Sequence, residues 1–237
     1  MEQERTGRLQ AWLGVLPTLA AVLTALIAVL SAWQSQTQYT DSQAATRFQS
    51  AVEMLAGEDL TTRVGGIALL GEVGRESEER RDPAMRLLAT FLRVHFPVTE
   101  EGRQAAVTLQ PAGEEVRAVF AALMYRGEVD NVDLGRISAR NLTLSAADLS
   151  GLIFARSDLS GSMLEGVNLS GAILRETSLR EVNFSGADLR GADFTKADLS
   201  GTNLKGADLR GANLKDAQGV TEEMLSAAVT DGTTTLP

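Results

Sequence analysis

LSAADLSGLIFARSDLSGSMLEGVNLSGAILRETSLREVNFSGADLRGADFTKADLSGTNLKGADLRGANL (residues 144–214) carries Leu or Phe at every fifth position, from Leu144 through Phe154, Phe184 and Phe194 to Leu214. Two places before each large residue stands a second, mostly small one, such as Ala172, Ala187, Ala197 or Ala207, with bulkier Leu142 and Leu152 near the start. Between the two columns lies a polar position, often Asp or Asn, and two places after the large residue Gly recurs at 151, 161, 166, 171, 186, 191, 201, 206 and 211. An α-helix turns about 100° per residue, so a step of five would scatter the large column around its surface. In a flat strand an odd step sends successive side chains to opposite faces. The pattern therefore predicts a coil in which each group of five makes one short extended segment and one bend, with both apolar columns pointing inward, which is a β-helix.

The segments ADLSG (147–151), ADLRG (187–191) and ANLKD (212–216) resemble pentapeptide-repeat proteins. That resemblance implies a mainly β solenoid, a right-handed quadrilateral β-helix with four pentads per coil, so that residues 142–216 make nearly four coils. Before Leu144 the pattern weakens, because Ala139 replaces a large residue while Ile137 and Leu142 are bulky where small is usual. An irregular first coil is expected there.

Residues 11–33, AWLGVLPTLAAVLTALIAVLSAW, contain no charge and are bracketed by Trp12 and Trp33. About 20 apolar residues suffice to span a bilayer as a helix, and Trp is enriched at both interfaces. The expectation is a single-pass cell-membrane anchor, with the lipid bilayer as a partner; a cleavable signal peptide is the alternative. Arg5 and Arg8 precede the segment and the next positive residue is Arg47, a bias toward a cytoplasmic N-terminus.

Helical patterning fills the interval up to the repeats. Ala44, Phe48, Val52 and Leu55 share one face of a helix ending at Gly57; a second runs from Leu60 to a stop near Gly74, where GEVGRES (71–77) predicts fraying. A third opens at Asp82 and Pro83 and closes before Pro97, with Met85, Leu88, Phe91 and Leu92 inward. After a polar linker, Glu114 and Glu115 start a fourth, whose Val116, Val119, Phe120, Leu123 and Met124 follow helical spacing up to a cap at Gly127. RFQSAVEMLAGEDLTTRVGGIALL (47–70) and AVFAALMYR (118–126) resemble the helical segment found before the repeats in many bacterial membrane-anchored pentapeptide-repeat proteins, and the packed helices look like a short armadillo-like module. The resulting organisation is a tail and transmembrane helix (1–40), an α-helical adaptor (41–130), the β-helix (131–217), and a C-terminal capping helix and tail (218–237), with TEEMLSAAV (221–229) as the cap.

Little in the chain points to chemistry. It has no Cys, which excludes disulfides and thiolate metal sites, and no phosphate-cradling, dinucleotide or zinc motif. The one histidine, His95, falls at a helix end, and the Asp residues recur with the repeat. No catalytic, metal or cofactor site is expected.

The family resemblance also raises mimicry of duplex DNA toward topoisomerases such as gyrase. B-DNA carries one charge per about 1.7 Å, so an 18 Å column (about four coils at about 4.8 Å) needs roughly ten uncompensated negative charges. Residues 142–216 hold ten acids and eight bases; the overall −9 arises mostly elsewhere. The expected function is thus a non-enzymatic protein–protein interaction scaffold, with a gyrase-interacting protein as the alternative and nucleic-acid binding unexpected. Candidate contacts are Arg156, Arg175, Arg180, Arg190 and Arg210, and a homo-oligomer is compatible with the sequence.

Overall fold

The computed structural model describes Ser31 and residues 41–99 and 112–237. The chain divides into two compact units, Met1–Thr46 and Arg47–Pro237. The proposed span 11–33 lies outside the described residues apart from Ser31, as does the linker 100–111. Among the described residues no helix is long and apolar enough to cross a membrane.

Residues 41–55 are helical (α1), followed by α2 (Leu60–Glu76), α3 (Glu78–His95) and α4 (Glu114–Leu123). Asp59 caps α2 by accepting from Thr62 N at 2.8 Å. The helix does not fray at its glycines but continues to Glu76, because those glycines serve contact with other helices. A Cβ on Gly71 would lie 2.8 Å from Ala122 Cβ, and one on Gly74 would lie 2.7 Å from Met85 Cε. Helix α3 begins at Glu78, earlier than Asp82 and Pro83 suggested, and takes Pro83 inside it. The early start places Glu78 and Glu79 at the positive end of the helix and lets Arg81 donate to Gly74 O at 2.8 Å, closing the last turn of α2. Two members of the predicted apolar faces point outward: Val52 is 38% and Met124 43% exposed, while Ala51, Val116, Val119, Phe120 and Leu123 are buried.

Parallel bridges join residues twenty apart without interruption from Asp133↔Ile153 to Asp198↔Gln218. Twenty residues per coil is four pentads, as the resemblance implied. Every member of the large column from Leu149 to Leu214 is at most 2% exposed; only Leu144, on the first coil, is partly buried. The second column is equally dry, and its polar members are satisfied inside: Thr177 Oγ1 donates to Phe154 O at 2.7 Å and Thr202 Oγ1 to Leu179 O at 2.9 Å. At the corners the chain takes positive φ, for example 65° at Gly171 and 65° at Gly191, which glycine adopts without steric cost. The Asp and Asn residues are explained by the same corners. Asp198 Oδ1 accepts from Ser200 N at 3.0 Å and Asn168 Oδ1 from Ser170 N at 3.0 Å, so each side chain closes its own turn.

The irregular first coil is regular in backbone. Bulky Ile137 and Leu142 are 0% and 1% exposed, filling the space that Ala139 leaves. The helical segment closes its lower edge. Pro97 pairs antiparallel with Ile137, with Val98 N donating to Arg136 O at 2.8 Å and Ser138 N to Phe96 O at 2.7 Å. On the face carrying Asp148 no strand lies beneath among the described residues, and Arg126 takes its place. By the spacing of the ladder, the carbonyls of Asp148 and Ser150 would accept from the N–H groups of residues 129 and 131. Instead Arg126 Nη1 donates to Asp148 O and Arg126 Nη2 to Ser150 O, the latter at 2.8 Å. Phe120 of α4 stacks on Phe154 of the coil at 6.2 Å between centroids, and the buried apolar side chains form one continuous core from the helices to Leu214.

At the other end Thr221 caps α5 (Glu222–Ala227), accepting from Met224 N at 3.2 Å. The tail does more than the sequence suggested: Val229 pairs with Asp208 and Thr235 with Asn213, adding two rungs to the β-helix.

Candidate interaction surface

The side chains between the two inward columns stand in four rows, one per face, set by the twenty-residue coil, and of these Asp158 is buried. Asp148, Asn168, Asp188 and Asp208 form one row; Asp133, Ile153, Ile173, Asp193 and Asn213 the next. Ser138, Asp158, Ser178, Asp198 and Gln218 form the third, and Thr143, Met163, Asn183 and Asn203 the fourth. Each Asp or Asn of these rows accepts from the backbone two residues on, which fixes those side chains without a partner.

The five arginines singled out by sequence do not converge. Arg156 pairs with Glu176 at 3.1 Å on a corner, Arg175 with Asp193 at 2.5 Å on the second face, and Arg190 with Asp188 at 2.5 Å and Arg210 with Asp208 at 2.6 Å on the first. Arg180 has no ion-pair partner among the described residues and lines a groove of about 420 Å³ on the third face, together with Lys196, Asp198 and Gln218. Sequence reading missed Lys196 and Gln218. The available signal was the column Arg136, Arg156, Glu176, Lys196 and Asp216, which holds φ between 56° and 63° with a charged residue where other corners often use glycine.

The ion pairs depress their acids. Hydrogen bonding from Arg190 holds the Asp188 carboxyl below its ordinary value. At Asp193 burial pushes upward but is outweighed by hydrogen bonds from Thr195 and Arg175. Asp208, bonded by Arg210, is lowered from 3.8 to about 2. A carboxyl whose folded pKa lies below its unfolded one adds stability above the unfolded value and loses it as pH falls toward the folded one. The Asp208 contribution is therefore complete above pH 3.8 and disappears toward pH 2. The Asp208 carboxyl signal should titrate near pH 2 by NMR, and Asp208→Asn should lose less melting temperature between pH 4 and pH 2 than the parent; a midpoint near the ordinary 3.8 would show that the pair does not form.

His95 is exposed at the end of α3, its ring 4.4 Å from that of Phe91, and no acid or base approaches it among the described residues. Among the described residues no group of three or more His, Asp or Glu side chains is placed to hold a metal ion.

Comparison with curated proteins gave no match. A pentapeptide repeat protein from the Arabidopsis thaliana thylakoid lumen is 32% identical over 39% of this chain, with a TM-score of 0.33, and the chain spans 59% of its length. A pentapeptide repeat protein from Nostoc is 25% identical, covering 48% of this chain and 94% of its own, with a TM-score of 0.36. QnrB1, a plasmid-mediated fluoroquinolone resistance protein, is 17% identical, covering 44% of this chain and 57% of its own, with a TM-score of 0.29. The family model for pentapeptide repeats matches residues 143–180 and 177–216 in eight copies. Residues 143–216, then, carry pentapeptide repeats, and these repeats are wound into a β-helix.

Proposed function

We propose that this protein is a membrane-anchored, non-enzymatic scaffold for protein–protein interaction: residues 11–33 are its anchor, residues 41–130 a helical adaptor, and the β-helix its binding element. The observation that supports the binding role is the fixing of the outward side chains. The Asp and Asn members of each row are held by backbone N–H groups two residues on, above a continuous dry core, so a partner meets these side chains already ordered and the entropic cost of binding them is low. The anchor rests on 23 consecutive uncharged residues, 11–33, with Trp12 and Trp33 at its two ends. The gyrase-directed alternative is weakened by the ion pairs, since Asp188, Asp193 and Asp208 each carry a guanidinium at 2.5 to 2.6 Å and present little free negative charge.

Proximity labelling from a tag fused after Pro237, with protease accessibility of intact cells, tests the reading. The expected result is a membrane-fraction protein with a reproducible set of protein neighbours. A protein recovered without membrane, or with no neighbours above background, would overturn it.

A further inference from the structure

Helices α2 and α4 lie side by side and run in the same direction. Arg63 Nε meets Glu115 Oε1 at 2.7 Å near their N-terminal ends, Gly71 lies against Ala122, and Arg75 stands over Tyr125 at their C-terminal ends. Between them runs a groove of about 260 Å³ whose walls include Ala68 and Gly71 on one side and Ala118, Ala121 and Tyr125 on the other. Its outer side is open. Ala68 and Ala121 are exposed, and so are the larger Leu60 and Tyr125, at 41% and 55%. The spacing of 60, 64, 68, 71 and 75 keeps Leu60, Val64 and Arg75 on this flank of α2, and Glu114, Ala118, Ala121 and Tyr125 follow the same rule along α4.

Charge is confined to the two ends of this stripe. Arg75 extends across the groove to lie 4.7 Å from the centroid of the Tyr125 ring, which sets its guanidinium over the C-terminal end of α4. Glu114 stands at the N-terminal end, about 16 Å away along the axis. Neither makes an ion pair among the described residues, whereas the adjacent Glu115 is taken by Arg63. Midway between them come Ala118 and Ala121, whose small side chains let a second helix approach closely. A second copy of α4 laid antiparallel on the first, with a two-fold axis between Ala118 and Ala121, therefore sets each Arg75 over the Glu114 of the other copy. The cation and the acid lie at equal distances from the middle, so this one surface is its own electrostatic complement.

We infer that two copies of this chain associate through this groove, α4 against α4 about that two-fold axis, with Arg75 of one copy closing on Glu114 of the other at both ends. An isologous contact of this kind uses the same patch on both copies and stops at two. The inference is independent of the scaffold reading, because it uses neither the anchor nor the β-helix.

The test uses the full chain in density-matched detergent micelles, followed by analytical ultracentrifugation over a dilution series. The expected result is a monomer–dimer equilibrium. R75E and E114R should each weaken the dimer at least about tenfold, since either reversal sets like charges together at both ends of the contact. Both side chains are exposed, so folding monitored by circular dichroism should be retained. The double variant R75E/E114R, and an equimolar mixture of the two single variants, should regain the dimer of the parent, because opposite charges meet again in each. Recovery in the mixture is a result that misfolded variants could not give. K205E, at an exposed site on the β-helix, should dimerise as the parent does. A parent that stays monomeric, single variants that dimerise as tightly as the parent, or a mixture no tighter than its components would each overturn the inference.

Discussion

Leu169→Asp is expected to abolish folding of the whole unit Arg47–Pro237. Leu169 is 0% exposed in the middle of the coil stack. The substitution forfeits about 1.5–3 kcal/mol of apolar transfer and sets a carboxylate in a dry interior, a further several kcal/mol. Against a total stability of about 5–15 kcal/mol, that removes most or all of it. The loss should be cooperative, because the helices and coils share one core and Phe120 stacks directly on Phe154. Circular dichroism at 25 °C should show loss of structure, and amide exchange should show α2 and α3 unprotected together with the coils. Lys205→Ala, at an exposed site, should stay within about 0.5 kcal/mol of the parent. Retained protection in α2 and α3 with molten coils would mean that the helices fold independently.

Arg126→Met is expected to lower stability by about 3 kcal/mol, which for a unit of this size corresponds to about 6–12 °C in melting temperature. The Arg126 side chain is 4% exposed, and its guanidinium supplies donors to Asp148 O and Ser150 O where no strand lies among the described residues, 3.6 Å from Asp148 Oδ1. Methionine preserves the apolar stem but leaves two acceptors without their donors. Arg126→Lys keeps the charge without the two-pronged geometry and should recover only part of the loss. Exchange protection should fall first at Leu149 and Gly151 in the first coil. An unchanged melting temperature for Arg126→Met would show that water satisfies this edge as well as the guanidinium does.

The candidate surface was legible only in part. The arginines Arg156, Arg175, Arg190 and Arg210 were visible as outward residues, but the acids that neutralise them stand up to twenty positions away in sequence, as Glu176 does from Arg156. A five-residue pattern does not show which pentads stack, so pairing across coils stayed hidden. A clue to the coil length was present: glycine is absent at 136, 156, 176, 196 and 216, a gap that recurs every twenty residues. The helical segment was read correctly at Leu60 and at Glu114 and Glu115, where α2 and α4 begin. It was misread at Gly71, Gly74 and Pro83, where contacts between helices override local preference.

By itself, the order of residues determined that Leu149 to Leu214 face one interior and that the chain bends after each of them, because a period of five admits no other regular backbone of short-range contacts. It also marked Thr221 as a cap, since the hydroxyl acts on a backbone group three residues away. The closing of both ends was decided only by the tertiary structure. Arg126 in place of a strand, Pro97 beside Ile137, and Val229 and Thr235 as added rungs each join groups far apart in sequence. Such pairings depend on where the coil edge happens to lie in space, and no local preference encodes that position.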